Sequence, residues 1–192
     1  MITKEEYSVE FKSMFREYDI RGRVNKEELC PENVYKIVKA YCKYLKRRNI
    51  TRAVCGYDNR ACSPAFAEAA VKALRECGID VFFTGLSLSP LVYFAQYYLK
   101  CEGAVMITAS HNPDGWSGFK LAKGYSKTLE PDDIKEVYSL LDTPDETCAM
   151  GSYEEVNVRD AYIDDIVSRI HMGDKKLRVV LDAGNGGDGL FV

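Results

Sequence analysis

Ala104-Val105-Met106-Ile107 runs without a polar residue and leads straight into Thr108-Ala109-Ser110-His111-Asn112-Pro113. An apolar run of strand length fits a strand covered on both faces, the position of a central strand in an α/β protein. Asn112 precedes a proline and is biased away from helix, and Pro113-Asp114-Gly115 is turn chemistry. The chain should therefore reverse between Gly115 and Gly118, and Phe119-Lys120-Leu121 should run back. That return carries the Lys120 ammonium toward Ser110 and His111, placing a hydroxyl, an imidazole and a cation on one loop, a combination suited to phosphoryl chemistry. The plainer reading is a polar turn that merely ends a strand.

The patterns on either side alternate. Phe15, Tyr18 and Ile20 suggest a short strand ending at Gly22. Val34, Ile37, Val38, Tyr41, Cys42 and Leu45 recur at three- and four-residue steps and predict a helix over 31–48, with Pro31 in its first turn. Ala53-Val54-Cys55 reads as a strand. Ser63-Pro64 opens a helix, with the serine as cap, that should run to Cys77 and stop at Gly78. A strand over 80–84 follows, then a helix from Ser89-Pro90 to about Leu99 whose aromatic residues read as core packing. Glu130-Pro131 starts a further helix with Ile134, Val137, Tyr138 and Leu141 on one side.

Thr143 to Asn157 is acidic, contains proline and glycine, has little periodicity and reads as a linker. A helix over 159–170, a strand over 177–181 and a turn at 182–186 come after it. Strands alternating with helices predict a three-layer α/β/α sandwich with a mixed sheet over residues 1–143, a linker at 144–158 and an incomplete second α/β domain at 159–192. Val179, Val180, Leu181, Leu190, Phe191 and Val192 would belong to a sheet whose other strands are absent, so the tail from Leu177 should be poorly protected.

Charge and cysteine usage narrow the function. The net charge of −3, with no basic run longer than Lys46-Arg47-Arg48, gives no reason to expect nucleic acid. No stretch approaches the length of an apolar membrane span, and the start, MITKEEYSVEFK, lacks the apolar core of a signal peptide, so the protein is expected in the cytoplasm. The seven cysteines form no C-x-x-C pair and read as buried small hydrophobes in a reducing compartment. His111 and His171 are not at zinc-ligand spacing from any of them. Gly184-Asn185-Gly186-Gly187-Asp188-Gly189 satisfies G-x-G-x-x-G, but the helix and the acidic residue that a dinucleotide site needs do not follow it.

Thr108 to Pro113 followed by Gly118-Phe119-Lys120 resembles the phosphoserine loop of the α-D-phosphohexomutases, the phosphomannomutase and phosphoglucomutase family. Members usually show Tyr-Asn-Gly before the Phe-Lys, where this chain has Trp116-Ser117-Gly118. Phe15-Arg16-Glu17-Tyr18-Asp19-Ile20-Arg21-Gly22 resembles the family's N-terminal motif, whose arginine, here Arg21, reaches in beside the phosphoserine. Gly56-Tyr57-Asp58-Asn59-Arg60 is similar to its Gly-x-Asp-x-Arg segment. There Asp58 and Arg60 either pair with each other or stand next to substrate.

The resemblance implies an enzyme in which a phosphorylated serine, Ser110, passes its phosphoryl group to a hexose phosphate, with a hexose 1,6-bisphosphate as intermediate and activator. Lys120 and Arg21 would neutralise charge. His111 would relay a proton or orient the loop, and Thr108, Asn112 and Arg60 would lie near the phosphate. The resemblance also implies Mg²⁺, held by the phosphate on Ser110 and by three aspartates of an Asp-Gly-Asp-x-Asp-Arg loop, a sequence this chain does not contain. The 192-residue chain would then lack the partner domains and be inactive alone; a binding module that keeps the fold is the alternative.

Overall fold

The computed structural model describes residues 7–191, without the side chain of Leu190; Met1 to Glu6 and Val192, read above as a leaderless start and the end of the unpaired tail, lie outside it. The elements in chain order are α1 (Val9–Ser13), β1 (Ile20–Arg23), α2 (Pro31–Lys46), β2 (Arg52–Tyr57), α3 (Ser63–Glu76), β3 (Asp80–Leu86), α4 (Ser89–Tyr98), β4 (Gly103–Ile107), β5 (Trp116–Gly124), β6 (Lys127–Thr128), α5 (Pro131–Ser139), β7 (Tyr153–Glu155) and α6 (Arg159–Ser168). A 3₁₀ turn at Gly187–Leu190 ends the series. Seven strands form one mixed sheet in the order β1-β5-β4-β2-β3-β7, with β6 paired to β5.

Every residue of β4 is buried, as its uninterrupted apolar sequence requires. Val105 and Ile107 face the core built by α2, α3 and α5, while Ala104 and Met106 face Leu91, Val92 and Ala95 of α4. The sandwich therefore has three layers, helices on both faces of the sheet. β2 and β3 run parallel to β4's direction, and β5 returns antiparallel with Ile107 opposite Phe119. One polar side chain crosses this core. The hydroxyl of Tyr41, on α2, accepts from the amide of Ala104 at 3.1 Å and donates to the carbonyl of Ala122 at 2.5 Å, joining β4 and β5 to the helix above them. Burial pushes its phenol well above the usual range, so it is held as a neutral donor.

Several local expectations change. The segment ahead of Ile20 is not strand: Ser8 accepts from the amide of Phe11 and starts the short helix α1, and Phe15 makes only an isolated bridge to Ile20. Ser63 does not cap α3. It is the first helical residue, and its hydroxyl turns to donate to Asp58 Oδ1 at 2.6 Å, a stronger acceptor than the helix offers. The aromatic residues of α4 do not form its buried face, because the sheet beneath presents Ala104 and Ala122 and is met by Leu91, Val92 and Ala95. Tyr97 and Tyr98 are 58% and 59% exposed. Among the cysteines Cys42, Cys55, Cys77 and Cys101 are buried, whereas Cys148 is exposed and Cys30 and Cys62 partly so.

The segment read as a linker contributes β7, parallel to β3, because β3 would otherwise leave its edge unpaired. Asp80 accepts from both the amide and the hydroxyl of Ser152 at 2.8 Å, which starts that pairing. Beyond α6, which buries no residue, the strand expected over 177–181 does not form. Val180 is 94% exposed. A single apolar segment with no neighbour to take its backbone hydrogen bonds has nothing to hold it extended. The last turn does return to the body of the protein, with Phe191 edge-on to Tyr162 and Asn185 accepting from the amide side chain of Asn59. Among the described residues no helix is long and apolar enough to cross a membrane.

Replacing Tyr41 by Phe removes the hydroxyl bridge and leaves a buried amide and carbonyl without it. Urea denaturation should show a loss of about 1–3 kcal/mol. An unchanged midpoint would mean that β4 and β5 do not depend on the bridge.

Candidate active site

The loop between β4 and β5 stands at the C-terminal edge of the parallel strands, beside the ends of β2 and β3. Its base is fixed by Thr108, whose amide donates to the Gly118 carbonyl at 2.8 Å. The buried Thr108 hydroxyl accepts from the amide of Ser110 at 2.9 Å, so its role is to shape the turn. Ser110 is exposed and left-handed, with φ of 56°. Its Oγ lies 3.4 Å from Nδ1 of His111, which is exposed as well.

Arg60 holds this conformation. Its guanidinium donates to the carbonyls of Ser110 at 3.2 Å, Asn112 at 2.6 Å, Pro113 at 3.1 Å and Trp116 at 3.2 Å. Asp58 anchors the guanidinium at 3.2 Å through Nε, and accepts from Ser63 with its other oxygen. The two readings left open for this pair meet here: Arg60 does pair with Asp58, and it spends its remaining donors on the loop backbone.

The two candidate cations come from neighbouring strands. Arg21 on β1 and Lys120 on β5 both reach Asp19, at 2.8 Å and 3.4 Å from Oδ2. Arg21 also donates to the side-chain oxygen of Asn112 at 2.6 Å, tying β1 to the loop. Two positive charges against one carboxylate leave a net positive charge at the foot of the loop, where Arg21 meets Asn112. Gly118 makes this approach possible, since a Cβ there would lie 2.1 Å from the carbonyl of Ile20. Trp116 is flanked by the guanidiniums of Arg16 and Arg23, 5.6 Å and 5.7 Å from its ring centroid.

Residues 12–147 match the family described as phosphoglucomutase/phosphomannomutase, alpha/beta/alpha domain I. This chain belongs to the phosphoglucomutase/phosphomannomutase family. It is similar to the phosphomannomutase of Salmonella typhimurium, with 36% identity over 181 residues that make up 91% of this chain and 39% of the relative. The phosphomannomutase/phosphoglucomutase of Pseudomonas putida is 36% identical over 93% of this chain and 38% of its own length. A family protein of Burkholderia thailandensis superposes with a TM-score of 0.75 at 29% identity, covering 83% of this chain and 36% of that one. The chain thus spans about two fifths of the length of these phosphohexomutase relatives.

The contact of Asp19 with Lys120 and the place of Tyr93 beside it are not legible in the sequence. Asp19 and Arg21 lie two apart, so in an extended chain they share a face, and local spacing reaches no further than that. The bond of Asp19 to Lys120 depends on the pairing of Ile20 with Phe119, a contact between residues far apart in the chain. Tyr93 on α4 has its phenol pushed up by burial and then by the charge of Asp19.

Arg60→Ala should speed hydrogen exchange at the amides of residues 109–117 by more than about tenfold, since each lost bond to a charged donor is worth about 1.5–3 kcal/mol. Exchange in Val105 to Ile107 should stay slow. Unchanged exchange in the loop would show that Arg60 does not hold it.

Proposed function

We propose that this chain is the N-terminal part of a phosphohexomutase in which Ser110 carries a phosphoryl group between C1 and C6 of a hexose phosphate. The observation that carries the reading is the presentation of Ser110: an exposed hydroxyl on a backbone clamped by Arg60, beside two cations that share one carboxylate. Phosphoryl transfer depends on positioning and on neutralising charge at the transferred group. The phosphate on Ser110 passes to a free hydroxyl of the sugar, breaking one P–O bond and forming another. The bisphosphorylated sugar turns over, and its opposite phosphate returns to Ser110. Arg21 and Lys120 take up the charge of the transferred group. His111, next to Oγ, either moves the hydroxyl proton or orients the loop.

In the same reading, residues 1–143 form the first domain, 144–158 connect it to a second that starts at 159, and the remaining domains bind the sugar. The protein then works in the cytoplasm, with hexose 1,6-bisphosphate as activator. The family depends on Mg²⁺. The described residues do not fit that ion: Asp19 is taken by Arg21 and Lys120, Asp58 by Arg60 and Ser63, and among them no group of three or more His, Cys, Asp or Glu side chains could hold a metal. No step above is assigned to it. The second reading is a catalytically inactive binding module that keeps the fold.

The two readings separate on exposure to glucose 1,6-bisphosphate and Mg²⁺ of the protein with whatever its reading frame encodes beyond Val192, followed by peptide mass mapping. Phosphate on Ser110, absent in Ser110→Ala, is the expected result. Stoichiometric label on another residue with Ser110 unmodified removes the assignment. Lys120→Ala and Arg21→Ala should each lower turnover by more than about tenfold; wild-type turnover in either variant would take that residue out of the site.

A further inference from the structure

Two guanidiniums beside the reactive edge have no carboxylate to answer them. Residues paired across an antiparallel ladder point to the same face, and alternate residues of a strand share it. Arg21 opposes Gly118 and Arg23 opposes Trp116, so Arg21, Arg23, Trp116 and Lys120 all stand on one face of β1 and β5. Arg21 and Lys120 are held by Asp19. Arg23 lies one strand repeat, about 7 Å, further along from Arg21. Its guanidinium is 5.7 Å from the centroid of the Trp116 ring, and that of Arg16, from the turn before β1, is 5.6 Å from the same ring. The backbone fixes all three positions: the amide of Arg16 donates to the carbonyl of Asp19 at 3.1 Å, the amide of Val24 to that of Gly115 at 2.8 Å, and Arg60 to that of Trp116 at 3.2 Å.

Arg16 and Arg23 are exposed, and among the described residues no carboxylate comes within ion-pair distance of either. Glu28, the acid beside Arg23, accepts from its backbone amide instead, at 2.7 Å. The indole face, negative by its quadrupole, offsets only part of the repulsion between the two cations. We propose that Arg16 and Arg23, set on Trp116, form a second oxyanion subsite, which takes one phosphate of a sugar phosphate whose other end lies at the Ser110 loop. A guanidinium is planar, always charged, and carries its donors in a fork that fits two oxygens of a phosphate. Two such forks match the charge of a dianion. The bisphosphorylated sugar of the reading above has a phosphate at each end, and one must be held while the other is exchanged. Arg21 and Lys120 serve the end at the loop, and the subsite one strand repeat away serves the other. This use rests on that reading; the affinity of the subsite for phosphate does not.

Trp116 is the one tryptophan of the chain, so its emission reports on this subsite. The test titrates the native 192-residue chain with inorganic phosphate and then with glucose 1,6-bisphosphate, against chloride at equal ionic strength, and reads the dissociation constant from the concentration dependence of the emission. Phosphate should give a saturable change that chloride does not. Arg16→Ala and Arg23→Ala should each weaken phosphate binding by about fivefold or more, and the corresponding lysine variants by less, because lysine keeps the charge and loses the fork. Lys120→Ala should leave the response to phosphate in place. Glucose 1,6-bisphosphate should bind about tenfold or more tightly than inorganic phosphate by engaging both ends, an advantage that Arg23→Ala removes. No saturable response to phosphate, or one abolished by Lys120→Ala and kept in Arg16→Ala and Arg23→Ala, overturns the subsite. A bisphosphate that binds no better than phosphate overturns its use by the intermediate. Both outcomes leave the labelling of Ser110 standing, and failure of that labelling leaves phosphate binding at Arg16 and Arg23 standing.

Discussion

The guanidinium of Arg60 donates to four carbonyls between Ser110 and Trp116, and the shape of the reactive edge depends on it. A left-handed non-glycine residue costs about 1–3 kcal/mol where the fold must enforce it. One or two bonds from a charged donor, at about 1.5–3 kcal/mol each, offset that. The clamp works because Asp58 holds the arginine from behind and Ser63 donates to Asp58, which it is free to do because it is the first residue of α3 rather than its cap. A helix start, a strand end and the loop thus share one polar network.

The parallel strands themselves rest on packing. β4 is buried on both sides, β5 lies antiparallel to it, and Gly118 lets β1 approach the other edge of β5. From this pairing come the two cations and the carboxylate that holds them. Asp19 lowers the cost of bringing Arg21 and Lys120 together, and two against one still leaves positive charge for an anionic group.

Much of this was legible in the chain. The alternation of apolar runs with three- and four-residue periods predicted the helices, the central strand and the layered fold, and the motifs around Ser110, Arg21 and Arg60 marked the residues that the fold brings to one edge. What escaped was non-local or depended on a missing neighbour. Lys120 meets Asp19 only through strand register. β7 lies in a stretch with no strand pattern, because the open edge of β3 supplies the order that its own sequence lacks. Residues 177–181 have the pattern and remain irregular, because no edge is offered to them. Local propensity set the candidates, and the availability of partners selected among them.

The handedness at Ser110 also restricts the amino-acid alphabet available to this position. Threonine would bring a second heavy atom on Cβ into a backbone region where β-branched residues are outliers. Tyrosine would carry its oxygen a ring's length away from the cations that flank the loop. Glycine would relax the backbone but offer no oxygen. Of the hydroxyl-bearing residues, serine alone combines tolerance of this turn with an oxygen one bond from Cβ, so the torsion angle of the loop narrows the choice at this position as much as the chemistry of the oxygen does.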